Sequence, residues 1–392
     1  MKILFLSRWF PYPPSNGSKL RIYHLIRGLA QQHEVTLISY TEGGDGEPEI
    51  EELKKYCARI YTVPWKKFDP NQVSSKLDFL SLTPRLVQKT YSTEIEQQIL
   101  SELNSGEYAA IIASQFDMAM YAPVFENTPA LFEEAEIGTY YDQYIHAPTL
   151  STRLRHWLTW WKHKRYIRSL MDDFAACTVV SKVERDLMQS AQLDSTPITV
   201  LPNCVDVASY ATFHCEPEAN TLVFTGSFTY APNYEAMVWF TGQVLPILHR
   251  EVPDLIIRIT GEHARHELPY LKQVEILGFV QDIRPLVARS YISLAPIHHG
   301  GGTRIKILEA MALKTPIVAT SKGAEGLDVN HEEHILIADT PQEFSQACLR
   351  LLHDRGLRQH LTRNAYQLVK TKYNWPAVIP DFLDLVEMIS RN

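Results

Sequence analysis

Short runs rich in valine, isoleucine and leucine alternate with amphipathic segments along almost the whole chain, and this alternation restricts the fold more than any other feature. A strand covered on both faces reads as a continuous apolar run, and runs separated by helical segments are the signature of βαβ units with parallel sheets. In the first half the runs are KILFLS, EVTLISY, ARIYTV, AAIIAS, PALFEE, CTVVS and ITVLPN. In the second they are TLVFTG, LIIRIT, VEILGF, ISLAP, PIVAT and HILIA. Residues 204–220 lack clear periodicity, carry Pro217 beside acidic residues, and read as a linker. The pattern predicts two doubly wound α/β domains, 1–203 and 221–374, facing each other across a deep cleft at the carboxyl ends of both sheets, where ligands of such folds bind. Residues 375–392 follow a helical pattern, and Pro376 suits its first turn.

A length of 392 residues allows each domain its own core. A net charge of -7 argues against a nucleic-acid binder that relies on a basic surface. No apolar run reaches the ~18 residues of a membrane span. The opening MKILFLSRWFPYPP has a short apolar stretch before Arg8 and Pro11 and no cleavage pattern, so it reads as a first strand of a cytoplasmic protein. The five cysteines, Cys57, Cys177, Cys204, Cys215 and Cys348, are odd in number and show no CxxC spacing, which suggests neither a disulfide framework nor a zinc site.

The segment GGGTRIKILEAMALKTPIVAT, Gly300 to Thr320, carries most of the chemistry. Its glycines let a backbone approach a ligand, Thr303 is placed to cap the following helix, and unpaired amides at that helix start attract anions. Arg304 and Lys306 add positive charge, and Glu309 falls about two turns, roughly 10 Å, beyond Gly302. Gly302, Lys306 and Glu309 therefore share a face, whereas Ile305, Leu308 and Ala312 suit burial against a sheet. A diphosphate at the helix start with ribose hydroxyls on the acid would fit. The competing reading is a glycine-rich turn with a Lys306 to Glu309 surface pair. The order strand, glycines, cations, helix, acid favours the site.

With this motif in the second of two Rossmann-like halves, the chain resembles glycosyltransferase family 4, retaining sugar transferases of GT-B fold. The resemblance runs through PPSNGSKLRIYHLIRGLA, VVSKVERDLM, VLPNCVD, LVFTGSFTYAPNYEAMVWF and ILGFVQDIRPLVARSYISLAP into the Gly300 segment and a tryptophan-containing last helix. The wording FTGSFTYAPN looks like that of bacterial members that build exopolysaccharide or lipid-linked glycans. The resemblance implies that the last helix crosses back onto the first domain and that the donor is a UDP- or GDP-sugar, with no cofactor and no catalytic metal. It implies ribose binding by Glu309, which matches the second Glu of the family's paired-Glu motif. The first Glu falls at Gly301, so loop amides, His298 or His299 take over the sugar contact. Gly278, Phe279 and Val280 match the strand end that receives the base. Where most relatives grip the diphosphate with an Arg and a Lys after LVFTG, this chain has Gly226, Ser227 and Asn233, which leaves that task to Gly302, Thr303, Arg304 and Lys306.

In the first half, Gly17 follows a strand and a proline-rich turn and precedes a helix, so residues 16–18 can present amides to a phosphate. Lys19 and Arg21 read either as phosphate or acceptor contacts or as solvated first-turn cations. Glu134, then Glu136, stand where relatives have the acceptor-side His or Asp, although EEAE also suits a helix start. The run Arg153 to Arg168 combines three tryptophans with many cations; Leu154, Trp157 or Leu158, and Trp161 fall at helical spacing. It reads either as a helix resting on an anionic membrane, beside a saccharide or lipid-linked acceptor, or as a domain helix with buried tryptophans. HEEH at His331 to His334 lacks the zinc-protease spacing, and neither GxGxxG after the first strand nor GxxxxGK[ST] occurs, which removes support from hydride and P-loop phosphoryl transfer. A nucleotide-sugar 2-epimerase and a non-catalytic nucleotide-sugar-binding subunit remain alternatives to the transferase.

Overall fold

The computed structural model describes residues 1–42, 49–65, 81–213, 215–263 and 267–391. It divides into two compact units, Met1–Asn203 with Ile379–Asn392, and Cys204–Val378.

Among the described residues, the first unit holds a seven-stranded parallel sheet of β1 (Lys2–Ser7), β2 (Glu34–Thr41), β3 (Arg59–Pro64), β4 (Ala110–Ser114), β5 (Ala130–Glu133), β6 (Ala176–Val179) and β7 (Ile198–Val200). Their order is β3-β2-β1-β4-β5-β6-β7. The direction of winding reverses between β1 and β4, which opens a crevice at the carboxyl ends of those two strands. Helices α1 (Gly17–Leu29), α2 (Thr93–Ser105), α3 (Gly138–Ile145), α4 (Leu150–Met171) and α5 (Lys182–Ser190) belong to this unit. Asn16 starts α1 by accepting the Lys19 N–H at 2.9 Å, satisfying an amide that has no partner inside the helix. Leu4, Leu6, Ile38, Ile111 and Phe132 form the core on one face of the sheet.

The second unit repeats the plan with six parallel strands, β8 (Glu218–Thr225), β9 (Ile256–Thr260), β10 (Val274–Gly278), β11 (Ser290–Ala295), β12 (Ile317–Ala319) and β13 (Leu336–Ile337), ordered β10-β9-β8-β11-β12-β13. Here the switch falls between β8 and β11. Leu222 and Phe224 pack into one core and Val223 into another, so the sheet is covered on both faces, as its unbroken apolar runs require. Helices α6 (Ala231–Trp239), α7 (Ile305–Ala312), α8 (Pro341–His353) and α9 (Arg355–Lys372) flank it. Thr340 and Glu343 cap α8 reciprocally, and Pro341 sits where its missing N–H is harmless. The last helix, α10 (Trp375–Ser390), begins in the second unit and ends in the first.

Several boundaries differ from the apolar pattern. The PALFEE run stops at Glu133, because Glu134 adopts a left-handed backbone (φ 57°) that ends the strand. Residues 204–220 contain a short helix, Val207–Tyr210, and the first residues of β8. EEAE does not open a helix: α3 starts at Gly138 and has no acid in its first turn.

Candidate functional site

Both switch points carry polar groups on the loops that leave their strands. In the second unit, β8 delivers Phe224 and Thr225 and then turns at Gly226. Gly261 passes so near that a Cβ there would lie 2.6 Å from the Gly226 carbonyl carbon and the Ser227 nitrogen, and its φ of 105° suits glycine alone. Its N–H donates to the Gly278 carbonyl at 2.8 Å, which links the ends of β8, β9 and β10. We expect Gly261→Ala to destabilise the protein by about 1–3 kcal/mol, read by urea denaturation, through backbone strain and overpacking.

Asn233, in the first turn of α6, donates from Nδ2 to the Ser227 carbonyl at 2.9 Å and accepts from Lys306 Nζ at 3.0 Å. The Lys306 ammonium lies 3.8 Å from the centre of the Phe224 ring, and a Cβ on Gly226 would come within 3.0 Å of it. Burial, aided by the neighbouring Arg304 charge and opposed by Glu309, pushes this ammonium down to about 7. Glu309, nearly one turn further along α7, accepts from Tyr210 Oη at 3.1 Å. Burial pushes its carboxyl up, against Tyr210 and Lys306. Lys306 and Glu309 thus face separate partners, Asn233 and Tyr210, and do not form the alternative surface pair.

Two expectations for the glycine loop change. Thr303 does not cap the helix: Arg304 occupies the N-cap position, and no side chain satisfies the cap. Arg304 is not directed at a ligand either, since it donates to the carbonyls of Gly301 (2.6 Å), Gly300 (2.8 Å) and His299 (3.3 Å) and so clamps the loop. The clamp gathers carbonyls inward. At Gly302, with φ 73°, a Cβ would meet nothing within 4 Å, so that point of the loop is open to an incoming group. His298 packs its ring against Trp239, 4.6 Å between centres, and His299 is exposed. Phe279, 69% exposed, and Val280 follow the edge strand β10. The ring nitrogens of HEEH accept local amides: His331 Nδ1 from Ile337 and His334 Nδ1 from Asn330.

In the first unit, Ser114 of β4 pairs with Glu133 of β5, so the next residues, Gln115 and Glu134, are neighbours. Both have left-handed backbones, φ 66° and 57°, a strained arrangement for non-glycine residues that is concentrated at functional sites. Gln115 Nε2 donates to Glu134 Oε2 at 2.8 Å and to Ser18 Oγ at 3.0 Å, joining the carboxyl edge of the sheet to the start of α1 beside Gly17. Burial, reinforced by Glu133 and Glu136 and opposed by Arg21 and Gln115, pushes the Glu134 carboxyl up to about 8. Nothing in the apolar pattern singled out Gln115, yet it occupies the same position after β4 that Glu134 occupies after β5.

Arg21 is not a phosphate or acceptor contact. It is fully buried, pairing through Nε with Glu133 Oε1 at 2.5 Å and through Nη1 with the Leu201 and Pro202 carbonyls and Asn203 Oδ1. Lys19 pairs with Glu42 at 3.0 Å, and Glu136 accepts the Thr139 hydroxyl at 2.6 Å.

The sequence profile of Glycosyl transferases group 1 matches residues 219–354, the span that contains the Gly226, Lys306 and Glu309 cluster. Over 387 residues the chain is 20% identical to an uncharacterized 44.6 kDa protein in the cps region of Klebsiella pneumoniae, covering 95% of this chain and 96% of that one. Its fold is similar to that of HepE from Anabaena, solved in complex with UDP, with a TM-score of 0.68, 14% identity and coverage of 99% and 100% of the two chains. It is similar also to a sucrose-phosphate synthase from Thermosynechococcus elongatus, with a TM-score of 0.68, 15% identity and 99% of each chain covered. Fold and matched domain together define the class: the chain is a glycosyltransferase of GT-B fold.

Proposed function

We propose that the protein is a retaining, metal-independent glycosyltransferase that moves a sugar from a UDP- or GDP-sugar to a hydroxyl of a saccharide or lipid-linked acceptor in bacterial polysaccharide or glycolipid synthesis. The observation that carries this reading is the half-buried Lys306 ammonium, held by Asn233 beside Gly226 at a switch point, with Glu309 further along the same helix. An ammonium partly stripped of water, with a neutral amide oxygen as its hydrogen-bond partner, is completed by an anion, and a nucleoside diphosphate supplies one. In the proposed reaction the glycosidic C–O bond breaks, the diphosphate gathers negative charge, and Lys306 with the opening amides of α7 stabilises that charge. Glu309 takes the ribose hydroxyls, and Phe279 with Val280 borders the base. The acceptor oxygen bonds to the anomeric carbon on the same face, and the leaving phosphate oxygen takes its proton, which needs no enzyme nucleophile. Glu134, in the first unit, is the acceptor-side carboxylate of this reading.

The test is a melting-temperature screen against UDP, GDP and their sugars, followed by product analysis by NMR. A ligand that binds the native state raises the melting temperature. Stabilisation by one nucleotide diphosphate, with the donor's anomeric configuration preserved in a new glycoside, is the expected result. No stabilisation by any of them would overturn the reading, and a changed sugar in the absence of acceptor would indicate an epimerase.

We place the protein in the cytoplasm, in contact with the inner face of the membrane through α4. One side of α4 is docked in its unit, with Trp160, Ile167, Leu170 and Met171 buried and the His163 ring stacked on Tyr140 at 3.9 Å. The other side exposes Leu150 (85%), Leu154 (66%), Trp157 (43%) and Trp161 (37%), a single stripe at i, i+4, i+7 and i+11. Arg153, Lys164, Arg165 and Arg168 border it, and among the described residues none of them pairs with a carboxylate. An apolar stripe bordered by unpaired cations matches an anionic bilayer, its rings at headgroup level and its cations on the phosphates. No helix among the described residues is long and apolar enough to cross a membrane. We expect binding to phosphatidylglycerol vesicles in a sedimentation assay, reduced at least tenfold in the Trp157→Ser/Trp161→Ser variant and by high salt. Equal recovery of both proteins with the vesicles would refute this contact.

A further inference from the structure

Arg8 stands apart from the other buried arginines of this protein. Ser7, the last residue of β1, pairs with Ser39 of β2 and Ser114 of β4, so Arg8 lies at the carboxyl edge of the sheet between Tyr40 and Gln115, and Glu134 follows next across. Its residue is 8% exposed, and its guanidinium carbon lies 3.6 Å from the centre of the Trp65 ring and 4.4 Å from that of Trp9. Nη1 is buried and has no hydrogen-bond partner. Among the described residues, no carboxylate comes within ion-pair distance. Glu42 is engaged by Lys19 at 3.0 Å, and burial pushes the Asp117 carboxyl up, which weakens it as a counter-charge. By contrast, Arg21 is met by a carboxylate, two carbonyls and an amide oxygen, and Arg304 by three carbonyls.

A guanidinium keeps its charge when buried, and burying that charge without an anion is strongly unfavourable, so a cation left in this state at a sheet edge points to a missing partner. Two ring faces hold the fork flat by cation–π contact and leave its edge for a planar or tetrahedral anion. Beside it stand Gln115, which already bridges Ser18 and Glu134, and Asp117, half-buried and able to accept sugar hydroxyls.

We propose that Arg8 forms a subsite for an anionic group, a phosphate or a carboxylate, carried by the acceptor sugar. The word acceptor rests on the transferase reading; the anion subsite does not. The experiment uses the full chain and three probes in calorimetric titration: glucose 6-phosphate, glucuronate and neutral glucose, with UDP stabilisation measured in parallel. At least one charged sugar is expected to bind tenfold or more tightly than glucose, and whichever does so identifies the anion as phosphate or carboxylate. Arg8→Gln is expected to erase that preference while UDP stabilisation persists, and Arg8→Lys to retain part of it. Equal binding of charged and neutral sugars by the unaltered protein, or an intact preference in Arg8→Gln, would overturn the proposal. Failure of both variants to fold would make Arg8 a core residue and overturn it as well. Absence of UDP stabilisation in the unaltered protein, with the anion preference present, would count against the transferase reading alone.

Discussion

Lys306→Met is expected to fold as well as the unaltered protein and to lose about 10²–10³ in turnover, the range seen when one preorganised charge-stabilising donor is removed. Methionine keeps an unbranched apolar side chain and removes the ammonium, including its contact with the Phe224 ring. That ammonium is pushed down to about 7, so near neutral pH the free protein holds it only partly charged. A diphosphate favours the charged form, and its binding above pH 7 should draw a proton from buffer. Calorimetry of UDP binding at pH 7.5–8 in two buffers of different ionisation enthalpy measures this uptake, which Lys306→Met should lack. The sign for stability runs the other way. A lysine lowered in the folded state destabilises the fold fully below about 7 and less and less as pH rises toward its ordinary 10.5, so the variant should melt no lower than the unaltered protein at pH 6. Unchanged turnover with saturating donor would remove Lys306 from the site.

Glu134→Gln should separate activity from stability. The carboxyl is pushed up to about 8, mainly by burial, from an ordinary value of 4.5. If its charged form faces the developing positive charge on the sugar, turnover climbs as pH rises through about 8. The glutamine variant should lose roughly 10²-fold at high pH, within the range for a positioned acid or base, and show a flat profile there. The folded state holds this proton more tightly than the unfolded chain, so stability from this group is present at low pH and declines between about 4.5 and 8. Glutamine cannot ionise, and its carbonyl can still accept from Gln115. The variant should therefore melt higher than the unaltered protein at pH 8.5 and closer to it at pH 5. A variant that keeps the alkaline rise in turnover would assign that rise to another group.

These two residues show what the sequence could and could not reveal. The βαβ alternation was legible because a parallel sheet covered on both faces forces continuous apolar runs, and each of the runs corresponds to a strand among the described residues. Strand ends were less legible, since they depend on backbone angles such as that of Glu134, which no apolar count reports. Lys306 and Glu309 were visible because helical spacing fixes their separation. The roles of Arg304 and Arg21 were not. A cation two or three residues into a loop or helix looks the same on paper whether it meets a ligand or three carbonyls. Gln115, Asn233 as the partner of Lys306, and Tyr210 as the partner of Glu309 arise from pairings distant in sequence, the last from a stretch that looked like a bare linker.

The passage of α10 from the second unit into the first bears on the order of events at the ribosome. Ile379, Phe382, Val386 and Ile389 are buried, and Ile379 packs so tightly on α1 that a Cβ at Gly28 would lie 2.7 Å from it. During synthesis that surface of α1 emerges early and waits while Cys204–Val378 is made. At roughly 5–20 residues per second the interval is on the order of ten seconds to half a minute. Over that time the nascent first unit lacks the apolar cover that α10 provides at Gly28.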